Sequence, residues 1–239
     1  MEEADLKFAV LIPTYNESEN IEDLILVING LGLNPLILVV DDSSPDGTSE
    51  IVRRLQKKFK NIMLVVRPGK MGLGTAIKDG FKILSSMPNR PNYVIVMDAD
   101  FSHDPRDIPR FLQYAEKGYD IVVGSRYIKG GEIRGWPPSR IIISKIANKI
   151  AKTFIRLPVN DFTSGFRCYS IRYILKATPN LKSRRFEIQI ETLKKAQQLG
   201  MKVTEIPITF KDRKKGKSKL TIKEIINFLF YTMKSPFLD

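Results

Sequence analysis

The sequence predicts an α/β fold in which a mostly parallel sheet is flanked by helices. Five short runs rich in Val, Ile and Leu follow one another, and the stretches between them carry apolar residues three or four positions apart. This alternation is typical of βαβ units whose parallel strands are buried on both faces. A third observation agrees, because polar clusters stand directly after three of the runs, where open parallel sheets bind their ligands.

The predicted elements alternate regularly along the chain. The strands are expected at Phe8–Ile12, Leu36–Val40, Ile62–Val66, Tyr93–Met97 and Ile121–Val123, and the helices at Glu19–Leu31, Thr48–Phe59, Gly74–Leu84 and Ile108–Lys117. The carboxyl ends of parallel strands meet at one edge of a sheet. The polar clusters are therefore predicted to converge on one rim; they are Pro13–Glu17, Asp41–Thr48 and Asp98–Asp100.

Two further helices are predicted in the second half. Arg140–Leu157 is amphipathic, with apolar residues on one face and basic residues on another: Ile143, Ile146, Ala147, Ile150 and Phe154 against Lys145, Lys149, Lys152 and Arg156. Thr221–Glu224 has the form of a capping box and opens the apolar stretch Ile225–Met233, which is too short to span a bilayer. Both helices admit two interpretations, contact with a membrane interface or ordinary packing onto the sheet.

Composition narrows the class of protein. The 239 residues, 43% of them apolar, suffice for one large α/β domain or two small ones. We expect a single domain over residues 1–239, because no interdomain linker is evident. We expect no signal peptide, because Met1-Glu2-Glu3 is acidic and the first apolar run is short, and no stretch approaches the ~20 apolar residues of a membrane span. The single Cys168 fits a reducing compartment, and the single His103 leaves little room for a Ser-His-Asp triad.

The formal net charge of +13 predicts an anionic partner, which could be nucleic acid, an anionic membrane or a small phosphate. The positive charge is concentrated toward the C-terminal half, where Lys211–Lys219 holds six basic residues in nine. A nucleic-acid-binding domain is the alternative from a different class. The acidic rim would repel phosphates unless a metal intervened, and no recognised nucleic-acid motif is present, so no nucleic acid partner is expected.

Asp98-Ala99-Asp100 is the most informative motif. Residues i and i+2 of an extended chain point to the same side, so two carboxylates are predicted to form a hard-oxygen site for Mg²⁺ or Mn²⁺ at the end of a buried strand. Such an ion could hold a nucleotide's diphosphate. The alternative for this motif alone is a solvated acidic turn.

The other rim loops are ambiguous by themselves. The Pro13–Glu17 turn places Tyr15 beside a nucleotide base or simply begins a helix. Asp41 and Asp42 accept hydrogen bonds from a nucleoside or form a turn before Pro45-Asp46-Gly47. Lys70–Gly74 is a weak Gly-rich signal, and a loop that enters a helix at Gly74 is the simpler interpretation.

Taken in order, the motifs resemble family 2 inverting glycosyltransferases, and most of all the members that transfer mannose to dolichyl phosphate. The resemblance runs from about Phe8 to Leu229. Its motifs are Pro13-Thr14-Tyr15-Asn16-Glu17, Val39 to Thr48, Gly72-Leu73-Gly74, Met97-Asp98-Ala99-Asp100, Gly124-Ser125-Arg126-Tyr127 and Asp161 to Arg167. No single motif is decisive, but the ordered set is highly specific.

The resemblance implies a Rossmann-like nucleotide-diphospho-sugar transferase fold of the A type (GT-A). It also implies transfer of mannose from GDP-mannose to a dolichyl or other polyprenyl phosphate, with Mg²⁺ or Mn²⁺ as cofactor. The chain would divide into a nucleotide-binding half (about 6–100), an acceptor half (about 101–210), and a basic loop with an interfacial helix (about 211–239).

Residue roles follow only by position in the motifs. The resemblance places Pro13, Tyr15, Glu17, Val40 and Asp42 around the guanosine, and Asp98 and Asp100, with Ala99 between them, at the metal and diphosphate. It places Arg126, Arg140 and Ser144 near the acceptor phosphate, with catalytic roles for these three and Asp100. Arg126, Arg213 and Lys219 would also contact the donor, the last two from a basic loop, and Gln189 and Glu191 would line the sugar pocket.

Two departures from the family pattern matter. Some members carry Gln as a further metal ligand two residues after the second Asp, where this chain has Ser102. Many prokaryotic members also carry C-terminal membrane spans, which are not expected here. A membrane-anchoring protein partner is therefore plausible, and we expect peripheral association with the cytoplasmic face of a membrane.

Transfer of a sugar to a phosphate does not require a histidine as general base, which is consistent with a chain that has one histidine. A phosphate monoester has a second pKa near ~6, so it is largely ionised at neutral pH and needs no general base. It needs guanidinium groups that orient a dianion, such as those of Arg126 and Arg140. The alternative within the same class is a polyprenyl-phosphate glucosyltransferase that uses UDP-glucose, or another transferase that uses a sugar nucleotide.

Overall fold

The structure is a computed structural model that describes residues 7–213. Lys219, most of the basic run Lys211–Lys219, and the predicted helix Ile225–Met233 lie outside the described residues.

Nine strands and seven α-helices alternate through the described part of the chain. The strands are β1 (Phe8–Thr14), β2 (Leu36–Asp41), β3 (Ile62–Val66), β4 (Tyr93–Val96), β5 (Ile121–Ser125), β6 (Glu132–Arg134), β7 (Arg167–Ser170), β8 (Val203–Pro207) and β9 (Thr209–Lys211). The helices are α1 (Ile21–Gly30), α2 (Thr48–Lys58), α3 (Leu73–Ser86), α4 (Ile108–Ala115), α5 (Pro138–Phe154), α6 (Ile171–Ala177) and α7 (Ile188–Gln198).

The central sheet has seven strands in the order β3-β2-β1-β4-β7-β5-β8. Strands β1 to β4 pair in parallel, as do β5 and β8, whereas β7 is antiparallel to both of its neighbours. A separate two-stranded parallel sheet joins β6 to β9. The predicted α/β fold with a mostly parallel sheet is confirmed. The apolar runs predicted β1 to β5 and did not reveal β6 to β9, among them the antiparallel β7.

The core fills both faces of the sheet because alternate residues of each buried strand point to opposite sides. Leu11 and Val40 pack with α3, α5, α6 and α7 on one face. Val10 and Val39 pack with α1, α2 and α4 on the other. Burial on both faces explains why these strands read as continuous apolar runs.

Helix α5 differs from its prediction. It begins at Pro138 and ends at Phe154, and the residues that it buries are Ala147, Asn148 and Ala151. Four large apolar side chains of the helix stay exposed: Ile142, Ile143, Ile146 and Phe154. The small residues of α5 therefore pack onto the domain, while most of its isoleucines face outward. Between residues 7 and 213, the structure has no helix long and apolar enough to cross a membrane.

The N-terminus of α3 fits closely against the loop before α7. The backbone N–H groups of Gly74 and Thr75 donate to the Arg184 carbonyl at 3.0 and 3.3 Å. A Cβ atom on Gly74 would lie 2.7 Å from the Ser183 carbonyl oxygen and 2.9 Å from that of Arg185. Backbone atoms cannot move aside as a flexible side chain can, so this contact requires glycine.

Gly74→Ala should therefore destabilise the protein by about 1–3 kcal/mol, the usual cost of overpacking a tight contact. The matched control is Gly30→Ala at the end of α1, where an added Cβ meets nothing within 4 Å. Urea denaturation of both variants measures the effect. A Gly74→Ala protein as stable as the Gly30→Ala protein would contradict the close fit.

Candidate active site

A cleft of about 740 Å³ lies at the carboxyl ends of the strands. The predicted rim converges there, because the loops after β1, β2 and β4 all contribute to its walls. Most of the residues predicted for the site line it: Pro13, Tyr15, Glu17, Asp42, Asp98, Ala99, Asp100, Arg126, Arg140, Ser144, Gln189 and Arg213. Val40 does not line it, because its side chain is fully buried in the core of the sheet.

Backbone strain marks the same rim. Asn16, Ser43 and Phe101 have positive φ angles of 55°, 52° and 58°. Each lies in the loop that follows one of the three rim strands. A non-glycine residue in this conformation costs roughly 1–3 kcal/mol, and such strain is concentrated at functional sites.

One end of the cleft is built around Asp42 and Arg67. The Asp42 Oδ1 atom accepts from Arg67 Nε at 2.6 Å, and its Oδ2 atom accepts from the backbone N–H groups of Met71 and Gly72 at 3.0 Å each. Asp42 thus holds the loop that precedes α3. Arg67, which the sequence did not single out, is almost fully buried and also donates to Thr75 and Asp79.

Tyr15 lies at the same end of the cleft. The Lys70 Nζ atom stands 4.2 Å from the centroid of the Tyr15 ring, within cation–π range. Both side chains line the cleft. Together they present an aromatic face and a positive charge, which suit a base and a phosphate respectively.

Asp98 and Asp100 lie in the loop after β4. The Asp98 side chain is 46% exposed, whereas Asp100 is buried, with Oδ1 accepting from the Ser102 N–H at 3.0 Å and Oδ2 lying 3.0 Å from Arg213 NH2. Burial opposes ionisation of Asp100, but Ser102 and the charge of Arg213 outweigh it, and the pKa of Asp100 is lowered. The Asp100 carboxylate is therefore favoured in its anionic form, beside the more exposed Asp98 side chain.

The donor set suits a hard divalent cation. The described part of the chain gathers no cluster of three or more His, Cys, Asp and Glu side chains, so these two carboxylates are its acidic contribution here. The buried Ser102 side chain lies two positions after Asp100 and also lines the cleft, so a further oxygen stands near the two carboxylates.

His103 is not a base for this site. It is buried, and this burial lowers its pKa to about 4, against the opposing effect of Asp100. Its Nδ1 atom accepts from the Asp98 N–H at 3.2 Å, and its ring stacks on Phe166 with centroids 5.0 Å apart. The imidazole is neutral at pH 7 and packs the acidic loop in place.

Arg126 is held by a buried carboxylate. Its Nε and NH2 atoms donate to the two oxygens of Asp161 at 2.7 and 2.8 Å, and NH2 also donates to Thr163. Burial opposes the charged guanidinium, but Asp161 outweighs burial and the pKa of Arg126 is raised. Arg126 and Asp161 both belong to motifs that the sequence analysis identified, but the sequence did not reveal that the two residues form a pair.

Arg140 and Ser144 lie one turn apart on α5 and both line the cleft. Arg140 NH1 makes a long contact of 3.4 Å to Asp212, and its Cζ atom lies 4.0 Å from the centroid of the Trp136 ring. Burial lowers the pKa of Arg140, and the charges of Arg213 and Arg126 lower it further against the effect of Asp212. Carboxylates thus neutralise the positive charge of Arg140 less completely than that of Arg126.

Gln189 and Glu191, which were both predicted to line the sugar pocket, lie in different places in the structure. Gln189 lines the cleft, where a Cβ atom on Gly165 would lie 3.4 Å from its Nε2 atom and 3.8 Å from Asp98 Oδ1. Glu191 does not line the cleft, because its carboxylate accepts the N–H groups of Lys182 and Ser183 at 2.7 and 2.8 Å. Glu191 therefore supports the loop that meets α3. On the cleft side, the absence of a side chain on Gly165 leaves space between Gln189 and Asp98.

The sequence of this protein resembles those of known proteins. It matches the model of glycosyl transferase family 2 over residues 9–177. The dolichol-phosphate mannosyltransferase of Pyrococcus furiosus is 39% identical over 230 residues, which are 94% of this chain and 62% of that protein. The polyprenol monophosphomannose synthase of Mycolicibacterium smegmatis is 35% identical over 223 residues, which are 92% of this chain and 83% of that protein.

The fold is also similar to that of a solved glycosyltransferase. Glucosyl-3-phosphoglycerate synthase from Mycobacterium tuberculosis, in complex with Mn²⁺, UDP and phosphoglyceric acid, superposes with a TM-score of 0.69 over 98% of this chain and 79% of that chain. At 17% sequence identity this likeness concerns the fold alone, and it confirms the GT-A architecture. With a family model that matches most of its length and relatives above 30% identity, the chain belongs to glycosyl transferase family 2.

Proposed function

We propose that this protein transfers mannose from GDP-mannose to a polyprenyl phosphate such as dolichyl phosphate, with inversion at the sugar carbon. The observation that carries the proposal is the presence of two opposite charge patterns in one cleft. Asp98 and Asp100 supply paired carboxylates, and Arg126 and Arg140 supply paired guanidinium groups. The names of the two relatives, which concern transfer of mannose to dolichol or polyprenol phosphate, support the same reaction.

Asp98 and Asp100 are the residues that would hold Mg²⁺ or Mn²⁺. When bound, such a cation neutralises negative charge on the diphosphate of the leaving nucleotide. Arg213, 3.0 Å from Asp100, brings a positive charge to the same place. Tyr15 and Lys70 would contact the nucleoside end of the donor, and Gln189 would contact its sugar.

The acceptor needs no general base. A phosphate monoester is largely ionised at pH 7, so it needs no base, and the lowered pKa of His103 makes this imidazole a weak one. Arg126 and Arg140 would orient the phosphate oxygens by charge-assisted hydrogen bonds. One oxygen attacks the anomeric carbon in line as the bond to GDP breaks, the bonding electron pair leaves with GDP, and the anomer inverts.

The lipid acceptor requires a protein that meets the membrane. The exposed Ile142, Ile146 and Phe154 of α5 would enter the bilayer interface, with Lys145, Lys149 and Lys152 near anionic headgroups. Each Lys near such a surface contributes roughly 1 kcal/mol. We therefore propose peripheral attachment to the cytoplasmic face, with or without a membrane-anchoring protein partner.

The direct test is incubation with GDP-mannose, Mg²⁺ or Mn²⁺ and a short-chain polyprenyl phosphate. We expect a mannosyl phosphate lipid and one GDP released per lipid formed. UDP-glucose should give no product. Thermal shifts separate the donors further, because a ligand at about 100 times its Kd adds about 2.7 kcal/mol. If a control enzyme is active and this protein forms no glycolipid, the proposal fails; product from UDP-glucose alone would reassign the donor.

Asp100→Asn should lower turnover on the order of 100-fold, because the amide keeps the acceptor for the Ser102 N–H but loses the charge that a cation needs. The unfolding midpoint should stay close to that of the wild type. Asp104→Asn is the matched control, since it removes a carboxylate from the same loop outside the cleft. Near-normal turnover of the Asp100 variant would exclude a direct role in metal binding.

Arg140→Ala should raise the acceptor KM by about 10- to 100-fold, the loss expected for one hydrogen bond to a charged group. The KM for GDP-mannose should change little. Arg53→Ala, which removes an exposed Arg on α2, serves as the control. Steady-state kinetics with each substrate varied in turn gives both constants, and a loss of donor affinity instead would assign Arg140 to the nucleotide.

A further inference from the structure

We propose that Trp136 is part of the site for the acceptor phosphate. Its indole ring holds the guanidinium groups of Arg126 and Arg140 apart, and its Nε1–H donates to a phosphate oxygen. The inference rests on the proposed function and adds to it a residue that the motif comparison did not identify.

Trp136 is positioned between the two arginines. It lines the cleft, and its ring centroid lies 4.0 Å from Arg140 Cζ and 5.2 Å from Arg126 Cζ. Both distances are within the range in which a cation is attracted to an aromatic face. Phe210 packs against the indole with ring centroids 5.1 Å apart, which limits its movement. One aromatic ring therefore keeps two like-charged groups at a defined separation.

The charges around the ring are unequally balanced. Asp161 engages Arg126 with two short hydrogen bonds, whereas Arg140 has one long contact with Asp212. Arg213 adds a third cation, which together with Arg126 disfavours the charged form of Arg140. A dianion bound beside Arg140 would relieve this repulsion, and a phosphate monoester supplies both the charge and several acceptor oxygens.

The indole also carries an unused donor. Trp136 Nε1 is covered from solvent and makes no hydrogen bond within the part of the chain that the structure describes. Buried donors are nearly always paired, because an unpaired one loses its hydration without compensation. Because the Trp136 ring lies beside two guanidinium groups and its N–H is unpaired, this part of the cleft suits a ligand rich in acceptor oxygens.

Trp136 is the single tryptophan, so its fluorescence reports on this site alone. Titration of the wild-type protein with a short-chain prenyl phosphate should give a saturable change in emission. The same titration with the matching prenyl alcohol should give none, because the contact is with the phosphate. A response to the alcohol equal to that of the phosphate would overturn the proposal.

Two variants separate positioning from folding. By calorimetry, Trp136→Phe should bind the prenyl phosphate roughly 5- to 10-fold more weakly through loss of the N–H, and Trp136→Ala more weakly still. The acceptor KM should rise in parallel while the donor KM stays near wild type, and the unfolding midpoint of Trp136→Phe should also stay near wild type. Tyr114→Leu is the control, because this tyrosine pairs with Lys117 on the surface outside the cleft.

Wild-type acceptor affinity in both Trp136 variants would overturn the inference, as would equal losses for donor and acceptor. These outcomes are distinct from failure of the proposed function. A protein that forms no glycolipid, yet binds prenyl phosphate in a manner sensitive to Trp136, would refute the reaction and support the phosphate site. A protein that forms product equally well without the indole would support the reaction and refute the role of Trp136 in the phosphate site.

Discussion

The buried ion pair between Arg126 and Asp161 joins the separate parts of the second half of the fold. Asp161 also accepts hydrogen bonds from the Arg126 N–H and from Thr163 and Ser164, while its own N–H donates to Glu205 on β8. The end of β5, the loop before β7 and β8 therefore meet at Asp161, the first two at its carboxylate and β8 at its backbone N–H. Leaving one partner of such a buried pair alone costs about 3–5 kcal/mol. The pair therefore stabilises the wall of the cleft to which Arg126 belongs.

The same pair determines how charge is distributed in the cleft. Because Asp161 neutralises much of the charge of Arg126, that guanidinium acts mainly through its fixed orientation. Arg140, whose partner Asp212 is more distant and more exposed, keeps more of its positive charge than Arg126 does. Arg213 is paired with the buried Asp100 on the acidic loop. In the proposed reaction, an anionic acceptor would therefore find at Arg140 a positive charge that the protein itself does not fully neutralise.

The first half of the fold could be predicted from the sequence because β1, β2 and β4 are buried on both faces and read as apolar runs. Strand β7 could not, because it begins with Arg167, whose fully buried guanidinium donates to the Gln189 and Phe162 carbonyls. A charged residue in a short strand normally indicates the surface. Glu191 misled for a related reason. Its position in a family motif predicted a sugar contact, whereas its carboxylate binds backbone N–H groups, a role that depends on how α7 meets a distant loop.

In the proposed reaction, the periodicity of helix α5 would connect the cleft with the lipid surface. Arg140, Ser144 and Ala147 recur at intervals of three or four residues, so they share the face that lines the cleft. Ile142 and Ile146 are offset from that face by about half a turn and project outward. A phosphate headgroup held by Arg140 would then lie within one helix diameter of the isoleucines, a distance of roughly 10 Å. Under the proposed function, the helix would bind the charged end of a polyprenyl phosphate while its opposite face stayed in the interface that holds the tail, so the acceptor would not need to leave the membrane to react.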